Sequence, residues 1–144
     1  MANAKNSIVI DRPVSQVFAY VADGEKCPEW RPGVLDIKRV SGEGLGLGTK
    51  YAQGVKGPMG RRIAADYEIT AYQPDRLIEF QTTTGPARPH GRYDFEATEG
   101  GTRVSFSLDA KMSGLSGLLM GSMVQKTMDS EVGTLTNLKR AIEA

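Results

Sequence analysis

At 144 residues, 40% hydrophobic and 24% charged, the chain has the length and composition of one globular domain, spanning 1-144 around a single core. A formal net charge of +1 gives no bulk electrostatic reason to bind nucleic acid or an anionic membrane, and no apolar run approaches the roughly 20 residues of a membrane span. A lone cysteine, Cys27, excludes an intrachain disulfide, and one histidine without a cysteine pair supplies no metal-ligand set, so neither a metal nor a cofactor is expected.

Met1 to Asn6 is short and polar, unlike a signal peptide, which makes the cytoplasm the expected compartment. Asn6 to Ile10 reads as a first strand. Asp11-Arg12-Pro13 then opens a helix, with Val14, Val17, Phe18 and Val21 at helical spacing and Asp23-Gly24 as its end. Cys27 to Gly33 holds too many prolines for more than a helical turn. Val34 to Val40 is a second strand, and Ser41 to Gly48 a glycine-rich hairpin turn that matches no phosphate-binding pattern. Strands follow over Thr49 to Lys56, Arg61 to Tyr72 and Arg76 to Thr84, joined by turns at Gly57-Pro58-Met59-Gly60 and Pro74-Asp75. After the loop Gly85 to Pro89, Tyr93, Phe95 and Ala97 mark another strand. Val104, Phe106, Leu108 and Ala110 alternate with Arg103, Ser105, Ser107 and Asp109, the pattern of a half-buried strand. Met112 to Met123 is apolar and broken by glycines. Beyond it the apolar residues Val124, Met128, Val132, Leu135, Leu138 and Ile142 average 3.6 positions apart, so the spacing predicts one long amphipathic helix over Val124 to Ile142. The expected fold class is α+β: a curved antiparallel sheet of about six or seven strands wrapped around that helix, with one or two short helices after the first strand.

Several local strings carry a resemblance beyond this pattern. They are Ile8-Val9-Ile10 with Arg12-Pro13, Val17 to Asp23, Pro28-Glu29-Trp30 with Pro32-Gly33-Val34, Gly48-Thr49-Lys50-Tyr51, and Leu135-Thr136-Asn137-Leu138-Lys139. Together they resemble the SRPBCC superfamily, the START-related helix-grip fold, and within it the polyketide cyclase/dehydrase and lipid-transport-like subgroup. The resemblance implies an internal pocket between the concave face of the sheet and the last helix. It does not settle function, because one fold hosts many.

By alternation, the polar-tipped residues Tyr51, Gln53, Tyr67, Thr82 and Tyr93 face inward, beside Phe80. Buried hydroxyls and amides need partners, and these are supplied by a ligand, by one another or by water. Trp30 either lines the pocket mouth or plugs the end of the core. Met120, Met123 and Met128, with Met112, form an adaptable apolar wall or simply fill gaps. His90 is a loop residue or, facing the cavity, a general base. Arg61, with Arg62, Arg88 and Arg92, is either solvated or a receiver of an acidic head group. Counting 100° per residue from Val124 puts Glu131 at about 340°, inside the apolar stripe and away from Lys126, Asn137 and Arg140. A carboxylate there must be paired or protonated. The readings are a flexible side chain reaching out past the stripe, a bond to a tyrosine or arginine of the sheet purely for structure, and a cavity acid of raised pKa with Arg61, Tyr67 and Tyr93 as its expected partners.

The leading functional expectation is binding, with or without transport, of a small hydrophobic ligand such as a lipid or polyketide-like molecule. Trp30, Tyr51, Gln53, Arg61, Tyr67, Phe80, Thr82, Tyr93, Met120, Met123, Met128 and Glu131 are the candidate contacts. The alternative is a cyclase/dehydratase-type enzyme acting on an apolar carbonyl compound, with His90, Glu131 or Tyr93 as catalytic candidates. A second alternative is a protein-interaction domain. A cavity above roughly 300 Å³ favours the first two, a filled core the third. The expected partners are thus a small hydrophobic ligand, without nucleic acid or integral membrane contact, in a monomer or homodimer.

Overall fold

The structure, a computed structural model, describes residues 2–42, 46–85, 88–110 and 125–144. Strand β1 (Ala2–Ile10) is followed by helix α1 (Val14–Ala22) and a 3-10 segment (Gly24–Glu29). Then come β2 (Val34–Ser41), β3 (Lys50–Lys56), the short β4 (Arg62–Ala64), β5 (Tyr67–Gln73), β6 (Leu77–Thr82), β7 (His90–Thr98) and β8 (Gly101–Ala110). Two helical segments close the chain: α2, described over residues 125–132, and α3 (Leu135–Glu143). The strands form one antiparallel sheet in the order β1-β8-β7-β6-β5-β3-β2, with β4 beside β3. Seven strands wrapped as a half-barrel against a C-terminal helix are the helix-grip α+β arrangement that the alternation and the 3.6 spacing predict.

Three boundaries depart from expectation. Strand β1 begins at Ala2, ahead of Asn6, because β8 pairs along its whole length, from Ala2 with Ala110 to Ile10 with Thr102. The polar residues Asn3, Lys5, Asn6 and Ser7 occupy exposed positions on this edge strand, so they disguise it without opposing it. The long strand expected over Arg61 to Tyr72 is interrupted at Ala65-Asp66. Asp66 accepts the Gln53 N–H at 3.0 Å through its carboxylate and donates its own N–H to Thr84 Oγ1 at 2.8 Å, bonds that stand in for ladder pairing. Finally, the terminal helix tightens at residues 133–134. Gly133 still donates to Asp129 four residues back, at 3.1 Å, but Thr134 donates three back, to the Glu131 carbonyl, also at 3.1 Å. The apolar stripe survives: Met128, Val132, Leu135, Leu138 and Ile142 are all buried.

The concave face of the sheet carries Tyr93 and Phe106, stacked 4.1 Å apart, with Phe95, Val104 and Leu108 beside them. Helix α1 presses Phe18 edge-on against Phe95 and Tyr72, at 5.0 and 5.3 Å. Its first helical residue is Val14, with Pro13 one position outside in extended conformation, φ −61° and ψ 149°. Asp23 ends it and accepts the Glu25 N–H at 3.2 Å, which opens the 3-10 segment. That segment swings Cys27 and Trp30 inward over the sheet; both are buried.

Candidate functional site

Between the sheet, the 3-10 segment and α2 lies a cavity of about 200 Å³. Most of its wall is apolar: Val21, Ile69, Ile78, Phe80, Phe106 and Leu108 recur on inward positions of α1 and the strands. Among the inferred contacts, Trp30, Tyr51, Gln53, Tyr67, Phe80, Thr82, Tyr93, Met128 and Glu131 all line it. Met112, Met120 and Met123 lie outside the described residues. At about 200 Å³ the space is smaller than the roughly 300 Å³ that separates the functional readings, though the core is not filled either.

The polar end of the cavity is built around a residue the pattern did not single out, Arg31. Its Nε donates to Glu131 Oε2 at 2.9 Å and its Nη1 to Gln53 Oε1 at 3.2 Å. The two charged side chains are only 12% and 19% exposed, so the pair is largely withdrawn from water. Burial, the largest single influence, pulls the Arg31 pKa down, but the charge and hydrogen bond of Glu131, with Cys27 and Tyr93, together outweigh it and the guanidinium is held well above its ordinary value. Gln53 continues the network by donating from Nε2 to the Ala65 carbonyl at 3.2 Å. Glu131 therefore stands inside the apolar stripe, as the helical count places it, but its partner is Arg31 rather than Arg61, Tyr67 or Tyr93. Arg31 lies on the irregular segment between Glu29 and β2, not on the sheet.

The tyrosines form a second polar group. Tyr51 and Tyr67 stack at 5.0 Å, and Tyr51 Oη accepts the Gly24 N–H at 3.3 Å. Gly24 is required there: a Cβ would stand 2.7 Å from the Tyr51 ring and the Tyr67 hydroxyl. Burial raises the phenol pKa at Tyr51, Tyr67 and Tyr93; at the last two the Arg31 charge opposes the shift without cancelling it. These phenols stay protonated at neutral pH and act as neutral hydrogen-bond donors. The Trp30 indole N–H is buried without an acceptor among the described residues, its ring 6.4 Å from that of Tyr93. Trp30 also borders a more open hollow with Pro28, Pro32, Asn137 and Arg140.

Other candidates lie elsewhere. His90 is not in the cavity lining. Gly91, Tyr93 and Phe95 take the inward positions of β7, which turns His90 to the convex face, where its Nε2 lies 3.1 Å from Glu79 and its Nδ1 3.8 Å from Asp109. The strand alternation rules out His90 as a cavity base. Arg61 is exposed in the β3–β4 turn, Arg62 pairs with Asp36 at 2.8 Å and Arg92 with Asp94 at 2.9 Å; none of them lines the cavity. Arg88 bonds the Gly85 carbonyl at 3.3 Å. No group of three or more His, Cys, Asp or Glu among the described residues is arranged to hold a metal.

Comparison with known proteins agrees with this geometry. The family model described as polyketide cyclase / dehydrase and lipid transport matches residues 1–143, and the chain belongs to that family. Among solved structures, TTHA0849 from Thermus thermophilus superposes with a TM-score of 0.81 at 21% identity, covering 98% of this chain and 97% of that one. Ara h 8.0201 superposes at 0.70 and 18% identity, covering 98% and 97%. The di-domain ARO/CYC StfQ from the steffimycin biosynthetic pathway superposes at 0.80 and 15% identity; it covers 99% of this chain, which spans 50% of StfQ. At these identities the likeness is one of fold. No curated protein matches the chain.

Proposed function

We propose that this protein binds a compact, largely apolar molecule in the cavity between sheet and helix. The observation that carries the reading is an aromatic-lined space closed at one end by the part-buried Arg31–Glu131–Gln53 network. A pure packing core gains nothing from withdrawing an ion pair from water, since the cost of desolvating the charges rivals their attraction. The small volume favours a molecule of one or two rings over a long acyl chain. Trp30, Tyr51, Tyr67, Phe80, Thr82, Tyr93 and Met128 form the contact surface in this reading, and carriage of the ligand between partners is an extension of it.

Titration with a neutral apolar fluorophore tests the proposal. Saturable binding, weakened at least tenfold by Met128→Trp, is expected; a signal that rises without saturation, or is indifferent to that change, refutes it. The enzymatic reading keeps one specific support. Arg31 and the neutral Tyr93 present donors to one end of the cavity, as a developing enolate oxygen requires. It depends on those two residues, since His90 lies outside.

A further inference from the structure

The cavity lining holds two N–H donors that no described residue accepts. Arg31 uses Nε on Glu131 and Nη1 on Gln53, and its Nη2 has no acceptor among the described residues. The Trp30 indole N–H, on a side chain only 2% exposed, has none either. A buried donor without a partner costs about as much as a lost hydrogen bond, so native structures rarely keep one, and the Trp30 N–H is such a donor. The charge there is already balanced: the guanidinium is matched by Glu131 at 2.9 Å. The other cation of the lining, Lys56, is exposed.

We infer that Trp30 and Arg31 form a specificity site for an uncharged oxygen acceptor, a ketone, ester or amide carbonyl on an apolar body, and that the site discriminates against carboxylates. This rests on the ligand-binding reading above and adds to it the polarity and charge of the ligand. A neutral carbonyl oxygen takes up the unused N–H groups without disturbing the ion pair. A carboxylate brings a second negative charge beside Glu131 into a space that excludes most water, where like charges repel strongly. It must either break the Arg31–Glu131 pair or stay at the exposed Lys56.

Three ligands of nearly one shape separate these cases: acetophenone, ethylbenzene and benzoate. As the chain has a single tryptophan, its indole N–H gives one resonance in a nitrogen-15 correlation spectrum. Acetophenone should move that resonance downfield on saturation, and ethylbenzene should bind without doing so. Benzoate should bind at least tenfold more weakly than acetophenone at neutral pH. In Trp30→Phe the affinity for acetophenone should fall about threefold to tenfold, the worth of one hydrogen bond, while that for ethylbenzene stays within twofold. The spectrum of the unaltered protein stands even if the variant folds poorly. If acetophenone and ethylbenzene bind alike and shift the indole alike, or if benzoate binds best, the inference is wrong while the cavity remains a ligand site. If none of the three binds, the ligand-binding reading falls with it.

Discussion

Removing the Glu131 carboxylate is the sharpest test of how the site is held together. Glu131→Gln keeps the shape of the side chain but leaves the Arg31 guanidinium, 12% exposed, without its counter-ion. Breaking one side of a buried pair costs about 3 to 5 kcal/mol. The 12% and 19% exposures let some water reach both groups, so the low end, about 3 kcal/mol, is the appropriate figure. For a domain of this size that corresponds to a fall in melting temperature of roughly 9 °C. Arg31→Met should cost a similar amount, because it strands the carboxylate. The double variant removes both charges and should recover about 2 kcal/mol or more relative to the sum of the single changes. Urea denaturation of all four proteins at one pH completes the cycle. A cost below about 0.5 kcal/mol for Glu131→Gln, of the size seen for exposed pairs, or simple additivity in the double variant, refutes the claim that this pair is buried and coupled.

Other outcomes follow from the same geometry. Gly91 lies under Phe80, and a Cβ there would come within 2.1 Å of the ring; Gly91→Ala should push that ring into the cavity, weaken probe binding and cost about 1 to 3 kcal/mol, both readable in one thermal-shift titration. His90→Gln alters only the convex face, so probe affinity should match the parent within twofold; a larger loss contradicts the placement of His90. At high pH the buried phenols of Tyr51, Tyr67 and Tyr93 hold their protons where an unfolded chain ionises, near pH 10. The folded state then binds more protons than the unfolded one, so this stability is complete below about pH 10 and is lost as pH rises further. The urea midpoint should bend downward there, with tyrosinate absorbance from these residues appearing only as the fold is lost.

The alternation of β7 and β8 and the 3.6 spacing of the last helix were legible because each buries one face of a regular element, and burial writes a period into the sequence. The inward hydroxyls at Tyr51, Tyr67, Thr82 and Tyr93 were legible for the same reason. Arg31 was not, because it lies on an irregular segment between two prolines where no period operates. Its only signal was indirect: a carboxylate at position 131 inside an apolar stripe requires a cation opposite, and any arginine whose element faces α2 qualifies. The break at Ala65-Asp66 was hidden because Asp66 substitutes for ladder bonds with a side chain and a partner, Thr84, 18 positions away. His90 sits where alternation points it outward, one position before Gly91, but without a strand boundary in hand it reads as loop.

The pairing of β1 sets a timetable for the newborn chain. Its first strand finds its neighbour in β8, and its flanks are clasped by the end of the molecule: Asn3 N–H donates to Gln125 at 3.2 Å, Asp11 N–H to Glu143 at 2.8 Å and Lys139 Nζ to the Val9 carbonyl at 3.0 Å. Synthesis at about 5 to 20 residues per second leaves this strand waiting roughly 5 to 20 s for a partner about 100 residues downstream. For that interval it is an open edge in a crowded solution. The asparagines, lysine and serine at Asn3, Lys5, Asn6 and Ser7, which obscure the strand to a reader of the sequence, keep it from pairing with a stranger before the ribosome has delivered its own.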